Sequence, residues 1–533
     1  MKNKNITVAA GESLKENKCS EASRQLSPDE ALAYYVDSKS TSHSYKQTRK
    51  WSMKAGHKVY LSFYSLGKSK ASCCPSDEHI SVTESRAEIK LQAILDKTAE
   101  RLIEAQSEVI RSVLPRLYYT LISKWGCDGS SGHSTYKQKF ENINATDEFL
   151  FMYSFVPLRL FDGETVIWQN PRPSSTLYCR PIKFIFAKET NEFTKAETTK
   201  ILEEISQLLP TLCNVDGTQI SVKHDLLLTM TDGKVCNALT DTRSTQKCYI
   251  CGATPSTMNE ESKDYPSKQE RFGFGLSTLH AWIRTFECLL HISYRFQIKK
   301  WQVRGDNDKA IVKQRSREIQ KAFKERMGLI VDKPKPGYVR RFFSNAELSS
   351  EITGLDVSLI RRFHVILRTL SSGYDINCLE FEKYCGDTRK FYLDLYSWYS
   401  MPVTVHKILV RSTEVIKSCI LPIGQLSEEA QGARNKDCRR FRERHTRKRS
   451  RCATNTDLLR MLLITSDPVI NTFRELPRKK LTTLRPEVLQ LIVPPSLPSQ
   501  STSVREFSEG DYSLSEDSTE LESGDEESSD DEY

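Results

Sequence analysis

Two Asp-Gly pairs, each downstream of an apolar run, most constrain what this chain can fold into. Residues 226–230 have the length and composition of a buried strand and lead directly to Asp232, and residues 117–122 precede Asp128 in the same way. Strand ends are a common position for catalytic groups, although an Asp-Gly pair alone is equally an ordinary turn. If the two strands are neighbours, their carboxylates meet at one sheet edge, as a two-metal phosphoryl-transfer site requires.

The charge distribution favours a polyanionic ligand. The 533 residues include 78 basic and 69 acidic side chains, for a formal net charge of +9. Residues 506–533 hold 13 of the acidic side chains and no basic one, so residues 1–505 have 78 basic against 56 acidic side chains. A basic body with an acidic tail is typical of nucleic-acid-binding proteins, and the tail could compete for the same surface. A solubilising tail on an ordinary basic protein has the same composition.

Hydropathy and cysteine usage predict a soluble intracellular protein. The first residues lack the apolar segment of a signal peptide, and no run of about 18 apolar residues could span a membrane. The 15 cysteines are odd in number and scattered, which is typical of free thiols in a reducing compartment, with one metal site. Together with the basic charge, these features predict the nucleus.

Periodicity predicts an α/β fold with a helical second half. The clearest helix is predicted over residues 84–113, and from Cys248 to about Gly424 the pattern is largely helical. Another helix is predicted over residues 195–209. The predicted strands, besides 226–230, cover residues 117–125, 148–156, 165–168 and 181–187.

Eight short motifs follow one another in a fixed order. They are CDG at 127–129, NPRPSS and CRP within 170–181, TDGK at 231–234, CYIC at 248–251, LHAWIRTFECLLH at 279–291, VHK at 405–407 and SEEAQGARNK at 427–436. This order resembles the DDE transposases of the Transib type and their vertebrate descendant, the catalytic subunit of the V(D)J recombinase. The resemblance covers about residues 30–470.

The resemblance implies an RNase H-like (DDE) α/β core, interrupted by a largely helical, zinc-binding-type insertion. It also implies an N-terminal helical DNA-binding segment and a C-terminal helix. The expected segments are a disordered N-terminus (1–29), the helical DNA-binding segment (30–80), a linker helix (81–116), the core (117–245), the insertion with a degenerate zinc site (246–425), the C-terminal catalytic and basic helices (426–475), and a disordered acidic tail (476–533).

Two basic segments are candidates for DNA contact. In the first segment, residues 46–70, basic residues alternate with aromatic ones. In the second segment, residues 434–451, ten residues are Lys or Arg. Phosphates bind such cations, but a solvated charged face gives the same pattern, and the second segment could also serve nuclear import. The resemblance implies that the first contacts DNA. The predicted DNA-binding residues are Lys46, Arg49, Lys50, Lys54, Lys58, Arg434, Lys436, Arg439 and Arg440.

The implied chemistry is Mg²⁺- or Mn²⁺-dependent cleavage and joining of DNA strands by three acids. Asp128 and Asp232 match the first two. The third is expected three residues before Asn-Lys, where this chain has Gly432, which provides no ligand and weakens a helix by about 1 kcal/mol relative to Ala. Glu428 and Glu429 lie one turn earlier on nearly the same face. Either could substitute only if the helix slid by about 5 Å, one full turn. We therefore expect weak or absent Mg²⁺ binding.

The implied zinc site has also lost a ligand. Cys248 and Cys251 match half of a Cys₂His₂ site, and His406 matches the first histidine of a pair spaced five residues apart. Arg411 stands at the second position, and a guanidinium cannot ligate zinc. The sequence therefore predicts weakened zinc binding by three ligands. Cys127, Cys179 and Cys236 are expected to be buried thiols.

The sequence thus predicts a transposon-derived, Transib-like DDE transposase homologue in the nucleus. It is expected to bind double-stranded DNA at the element's terminal inverted repeats, as a homodimer, and to have lost strand cleavage. Two alternatives stay open. One is an active Mg²⁺-dependent endonuclease that uses Glu428 or Glu429; the other is a non-enzymatic nuclear DNA-binding protein.

Overall fold

A mixed sheet organises the fold. The computed structural model describes residues 24–113, 116–133, 140–141, 146–260, 265–332, 334–475 and 484–493. Most of the predicted disordered N-terminus (1–29) and most of the predicted disordered tail (476–533) lie outside the described residues. Residues 484–493 of that tail are described, however, and contain the helix Pro486–Leu491, so the prediction of disorder was wrong there. The strands are β1 (Ile80–Val82), β2 (Arg86–Ile89), β3 (Tyr118–Ser130), β4 (Leu150–Phe161), β5 (Val166–Gln169), β6 (Arg180–Ile185), β7 (Thr211–Val215) and β8 (Thr218–Met230).

The sheet order is β1-β2-β6-β4-β3-β8-β7, and β5 pairs with β4. β3 and β8 are parallel, whereas the other pairs of strands are antiparallel. β6 is buried along its whole length, and so are the first nine residues of β4. Continuous rather than alternating burial means that both faces of the sheet are covered, which explains why these strands are apolar runs in the sequence.

Helices surround the sheet and form most of the second half of the chain. They are α1 (Pro28–Asp37), α2 (Ser42–Lys54), α3 (Phe63–Ser72), α4 (Leu91–Ala105), α5 (Ser107–Val113), α6 (Asn191–Ser206), α7 (Gly233–Leu239), α8 (Thr278–Tyr294), α9 (Asp306–Met327), α10 (Pro336–Ser344), α11 (Ala346–Thr353), α12 (Val357–Leu370), α13 (Cys378–Tyr396), α14 (Val403–His406), α15 (Ser412–Ser418), α16 (Glu429–Arg444), α17 (Arg451–Thr465), α18 (Pro468–Phe473) and α19 (Pro486–Leu491). Within the described residues, no helix combines the length and apolarity needed to span a bilayer.

The predicted and observed elements differ near the edges of the sheet. The helix predicted from residue 84 begins only at Leu91, because Arg86–Ile89 pair with β6 and extend the sheet. This part of the prediction was wrong, since tertiary pairing overrides local propensity in so short a segment. The sequence analysis also missed β7, a five-residue strand that pairs with β8. The mixed α/β architecture itself is confirmed.

The N-terminal helices pack against the C-terminal ones. A capping box starts α1: Ser27 Oγ accepts from the Glu30 backbone N–H, and Glu30 accepts from the Ser27 N–H. Helices α1 and α3 share one apolar cluster with Ile464 and Ile470 of the C-terminal helices. Asp467, which is completely buried, accepts hydrogen bonds from Arg101 of α4 at 3.0 and 3.1 Å. Helices α1, α3 and α4 are thus fastened to the C-terminal helices α17 and α18.

Candidate catalytic and metal-binding sites

The register of β3 and β8 places the two predicted aspartates side by side. Gly126 of β3 pairs with Met230 of β8 in the parallel ladder, and Asp128 and Asp232 each lie two residues further along. A Cβ atom on Gly126 would lie 2.0 Å from the Met230 carbonyl oxygen. Only glycine therefore lets the two backbones approach so closely just before the acids.

Local contacts fix the orientation of both aspartates. Asp232 is the N-cap of α7, and its side chain accepts from the Val235 backbone N–H at 2.8 Å. Asp128 lies within β3, two residues before its end, and its Oδ2 accepts from the Asn435 side-chain amide at 2.9 Å. Both aspartates are half-buried. The strand pair and α16 together therefore hold the two carboxylates at one edge of the sheet.

Glu189 is a third carboxylate at this edge, and sequence analysis missed it. It lies in the turn between β6 and α6, where a Cβ added to Gly129 would be only 2.7 Å from its Oε2 atom. Lys234 forms an ion pair with Glu189 at 3.3 Å. The sequence offered one indication of this role: Glu189 comes shortly after a predicted strand, which is the same pattern that identified Asp232.

Two of the three carboxylates have a raised proton affinity. The pKa of Asp128 is raised to about 7, chiefly because burial disfavours its charged form and then because Asp232 and Glu189 add negative charge. Burial also raises the pKa of Glu189, and Lys234 partly offsets this effect. Three acids that repel one another at a sheet edge form a site with unbalanced negative charge.

The face of α16 toward Asp128 lacks the expected third acid. Gly432 lies one turn before Asn435, on the same helix face. A Cβ atom built on Gly432 meets nothing within 4 Å. In the described part of the chain, the acids do not form a group with three ligand atoms within 4.8 Å of one another; one cysteine–histidine group does. The acidic site therefore has room for a further ligand.

The two glutamates one turn earlier have other partners. The Oε1 atom of Glu428 accepts from Ser277 Oγ and lies 3.1 Å from His280 Nδ1, at the first turn of α8. Burial alone would raise the pKa of Glu428, but these hydrogen bonds lower it, and Glu428 in turn helps to raise the pKa of His280. Glu429 pairs with Arg340 at 2.8 Å.

Buried polar side chains fasten α16 to the sheet. Lys124 of β3 is fully buried and donates to the carbonyl oxygens of Gln425 and Ser427, just before the helix. Burial lowers the pKa of Lys124 to about 8. Arg434 is fully buried as well and donates to the carbonyl oxygen of Cys179 at 2.5 and 2.9 Å. The prediction that Arg434 contacts DNA is therefore wrong: its guanidinium is committed to the core.

Residues 120–243 match the family model of the Recombination-activation protein 1 (RAG1) RNase H domain. This match identifies residues 120–243 as an RNase H domain of the RAG1 type. The matched segment contains Asp128, Glu189 and Asp232, and runs from β3 to just beyond α7. No curated protein matches the chain. The sheet order β6-β4-β3-β8, with β3 and β8 parallel, is consistent with the RNase H domain.

C-terminal to the RAG1-type RNase H domain, the structure brings Cys248, Cys251 and His406 together. All three are buried, and their ligand atoms lie within 4.8 Å of one another. Cys251 Sγ is 3.3 Å from His406 Nε2. Hydrogen bonds from Cys248 and His406 lower the pKa of the Cys251 thiol. This group could hold a metal ion.

Arg411 is buried next to this cysteine–histidine group. Its guanidinium donates to the Tyr265 carbonyl oxygen at 2.7 Å and to Glu414 Oε1 at 2.9 Å. Burial alone would lower the pKa of Arg411, but Glu414 and the nearby Cys251 sulfur raise it. Three donors that could hold a metal ion are therefore present, but Arg411, at the expected fourth position, has no lone pair to offer a metal.

The other predicted DNA-binding residues form two groups, one on and just after α2 and one on α16. In the first group, Lys46, Lys50, Lys54 and Lys58 are exposed and Arg49 is half-buried. Lys54 lies 4.6 Å from the centre of the Trp51 ring, and that ring is itself exposed. In the second group, Lys436 and Arg439 are exposed, whereas Arg440 is half-buried and pairs with Asp437 at 2.6 Å.

The cysteines predicted to be buried thiols are indeed buried. Cys127, Cys179 and Cys236 are each less than 4% exposed. All cysteines of the described residues are free. These three lie in the sheet or next to it and contribute to its apolar packing.

Proposed function

We propose that this chain is a RAG1/Transib-like DDE transposase homologue that binds double-stranded DNA and has lost strand cleavage. The observation that carries the proposal is the face of α16. Asn435 contacts Asp128, while Gly432, one turn earlier, offers no side chain where the third acid is expected. Asp128, Asp232 and Glu189 remain as a partial site.

The remaining carboxylates suit a hard divalent cation, because Mg²⁺ and Mn²⁺ prefer oxygen ligands. Such an ion, when bound, would stabilise negative charge on the phosphate oxygens during strand cleavage. Asn435 orients Asp128, and the Val235 N–H orients Asp232. With a pKa of about 7, Asp128 must also lose a proton before its oxygens can serve as ligands. Because the carboxylate expected at position 432 is missing, the site should bind the cation weakly.

DNA binding does not require the acidic site. The exposed cations of the first basic segment and of α16 can neutralise phosphates whether or not the carboxylates are complete. We propose that Lys46, Arg49, Lys50, Lys54, Lys58, Lys436, Arg439 and Arg440 provide this surface. The RAG1-like assignment further suggests a nuclear protein that acts as a homodimer on two DNA ends.

Binding and nicking of the same DNA test this proposal. The substrate is a double-stranded oligonucleotide carrying the terminal inverted repeats that flank the coding sequence, with Mn²⁺ present. We expect a retarded complex and no nicked strand. A charge-reversal variant, Lys50→Glu with Lys54→Glu, should lose the complex, while Lys195→Glu, on the exposed surface of α6, should keep it. Nicking by the wild-type protein would contradict the loss of cleavage, and absence of any complex would contradict the binding role.

A second candidate function is an active endonuclease that uses Glu428. Its Oε2 atom is buried and has no hydrogen-bond partner among the described residues. The Glu428 charge also contributes to the raised pKa of Asp128, so the two groups lie close together. In this case the wild-type protein would nick DNA, and Glu428→Gln would abolish the activity. Glu429→Gln is the matched control, because Glu429 is paired with Arg340.

A further inference from the structure

Arg411 makes contacts that a residue merely replacing a lost ligand would not need. Its side chain is 7% exposed, and its two terminal nitrogens donate to Glu414 and to the Tyr265 carbonyl oxygen. Glu414 is fixed in turn by a hydrogen bond from Ser267 Oγ. The guanidinium is thus held by hydrogen bonds on two sides.

The backbone here adopts a conformation that brings Arg411 to the cysteines. Residues Lys407–Arg411 form a π-helical turn between α14 and α15. In an α-helix, residues five apart point in directions about 140° apart. In a π-turn the backbone hydrogen bond joins residues i and i+5, and a turn holds more residues than in an α-helix, so residue i+5 lies closer to the face of residue i. His406 and Arg411 can therefore approach the same cysteine loop.

Charge explains what the arginine does at this position. Cys248 and Cys251 normally gain stability from a dication that binds their sulfurs as thiolates. A guanidinium is permanently charged and donates hydrogen bonds in a planar fork, but it has no lone pair for a metal. A buried guanidinium at this position cannot complete a zinc site, and its positive charge repels an incoming zinc ion.

We propose that the Cys248–Cys251–His406 group is a metal-independent structural site in which Arg411 supplies the positive charge that zinc would otherwise bring. Arg411 then joins three parts of the helical insertion: the cysteine loop, the backbone at Tyr265, and the turn between α14 and α15. The proposal does not depend on DNA binding or on the state of the acidic site.

Zinc content and thermal stability of the full-length protein provide the first test. The protein is produced in zinc-supplemented medium, and its metal content is measured by mass spectrometry. We expect far less than one zinc per chain and a Tm that is unchanged by a chelator. Stoichiometric zinc, together with a lower Tm after chelation, would overturn the proposal.

Substitutions at Arg411 provide the second test. Arg411→His supplies a fourth donor, so zinc affinity should rise by about 100-fold or more and the Tm should become sensitive to the chelator. Arg411→Met keeps much of the apolar stem but loses the charge, so its Tm should fall equally with and without chelator. An Arg411→His protein that gains no zinc, or an Arg411→Met protein as stable as wild type, would contradict the proposed role.

A double-mutant cycle separates charge compensation from simple packing. If Arg411 acts on the Cys251 sulfur, Cys251→Ser should reduce the penalty of Arg411→Met. Arg362→Met is the matched control. Arg362 is a half-buried arginine of α12 whose contacts are Thr388 and Tyr384, so its penalty should be the same in the wild-type and the Cys251→Ser backgrounds. If Arg411→Met does not fold, Glu414→Gln replaces it, with a smaller Tm loss that again depends on Cys251. Equal penalties of the Arg411 change in both backgrounds would overturn the proposal.

Discussion

The acidic site and the cysteine site of this chain each lack one expected ligand, and they differ in what stands in its place. At the acidic site the position is Gly432, where an added Cβ meets nothing within 4 Å. At the cysteine site the position is Arg411, buried and hydrogen-bonded to Tyr265 and Glu414. The position of the missing acid is therefore open space, whereas the position of the missing zinc ligand is filled by a guanidinium.

This difference has electrostatic consequences. At the acidic site Lys234 compensates Glu189, while burial and the neighbouring carboxylates raise the pKa of Asp128 to about 7. At the cysteine site a positive charge accompanies the sulfur that would carry the negative charge. We therefore expect the acidic site to respond to pH, to divalent cations and to a restored side chain, whereas the cysteine site should be indifferent to metal.

The largest expected effect is restored strand cleavage in Gly432→Glu. Replacing a lost metal ligand should recover several kcal/mol of transition-state stabilisation, and each 1.36 kcal/mol corresponds to about tenfold in rate. We expect nicking of terminal-repeat DNA with Mn²⁺ to rise by about 100-fold or more over wild type. The open space at Gly432 allows the side chain to enter without displacing neighbours.

Gly432→Gln is the matched control for this experiment. It has the same size and gives the same gain in helix propensity over glycine, but it carries no negative charge. Cleavage by the Glu variant alone would attribute the effect to the carboxylate. If both variants stay inactive in Mn²⁺, a carboxylate at position 432 is not sufficient to restore strand cleavage. The missing acid would then not explain the loss of activity at this site.

The next largest effect is on the pH dependence of stability. Because the pKa of Asp128 is raised in the folded state, its favourable contribution is complete below pH 4 and is lost as pH rises through about 7. Asp128→Asn should therefore match wild type near pH 4. At pH 8 it should be more stable by up to about 4 kcal/mol, since one pKa unit corresponds to about 1.4 kcal/mol. Denaturant unfolding at both pH values measures this.

Asp162 provides a control of opposite sign. A backbone hydrogen bond from Thr165 and the contact with Arg116 lower its pKa to about 2. The stability it contributes is present above pH 4 and is lost as pH falls through about 2. Asp162→Asn should therefore be less stable than wild type at pH 7. If Asp128→Asn also destabilises at pH 8, the carboxylates of the acidic site are compensated by something other than a proton.

A smaller effect is expected from divalent cations. With one ligand missing, physiological Mg²⁺ should stabilise the wild-type protein by less than about 1 kcal/mol. The shift in Tm should grow between pH 6 and pH 8, because the proton on Asp128 competes with the cation. It should be larger in Gly432→Glu and absent when Asp128 and Asp232 are both changed to Asn. A large shift that survives the double change would place the cation elsewhere.

Sequence analysis could locate the two aspartates because buried strands appear as apolar runs whose ends are visible. It could not find Glu189, whose relation to Gly129 arises only when the turn after β6 folds back over β3. Short strands such as β7 have too few residues to show periodicity. Arg434 was instead predicted to contact DNA although it is fully buried. A run of basic residues has the same sequence pattern whether one of its members is exposed or buried.

The contrast between Gly432 and Arg411 could be anticipated only in part. Both substitutions were visible as departures from the implied motifs. Whether the lost position would be open or filled depended on the packing of α16 against β3 in one case, and on the π-turn at Lys407–Arg411 in the other. Neither feature has a signature in residue spacing alone.

The smallest expected effect is on DNA affinity, which neither site should influence. If phosphate contacts come from exposed cations, the logarithm of the binding constant should fall by about one unit per log unit of salt for each contact. Gly432→Glu and Arg411→His should leave this slope unchanged, whereas Lys50→Ala should reduce it by about one contact. Fluorescence anisotropy over a salt series measures the slope. A slope that changes with Gly432→Glu would mean that the acidic site itself lies against the bound phosphates, and the two sites would then differ in their partners as well as in their charge balance.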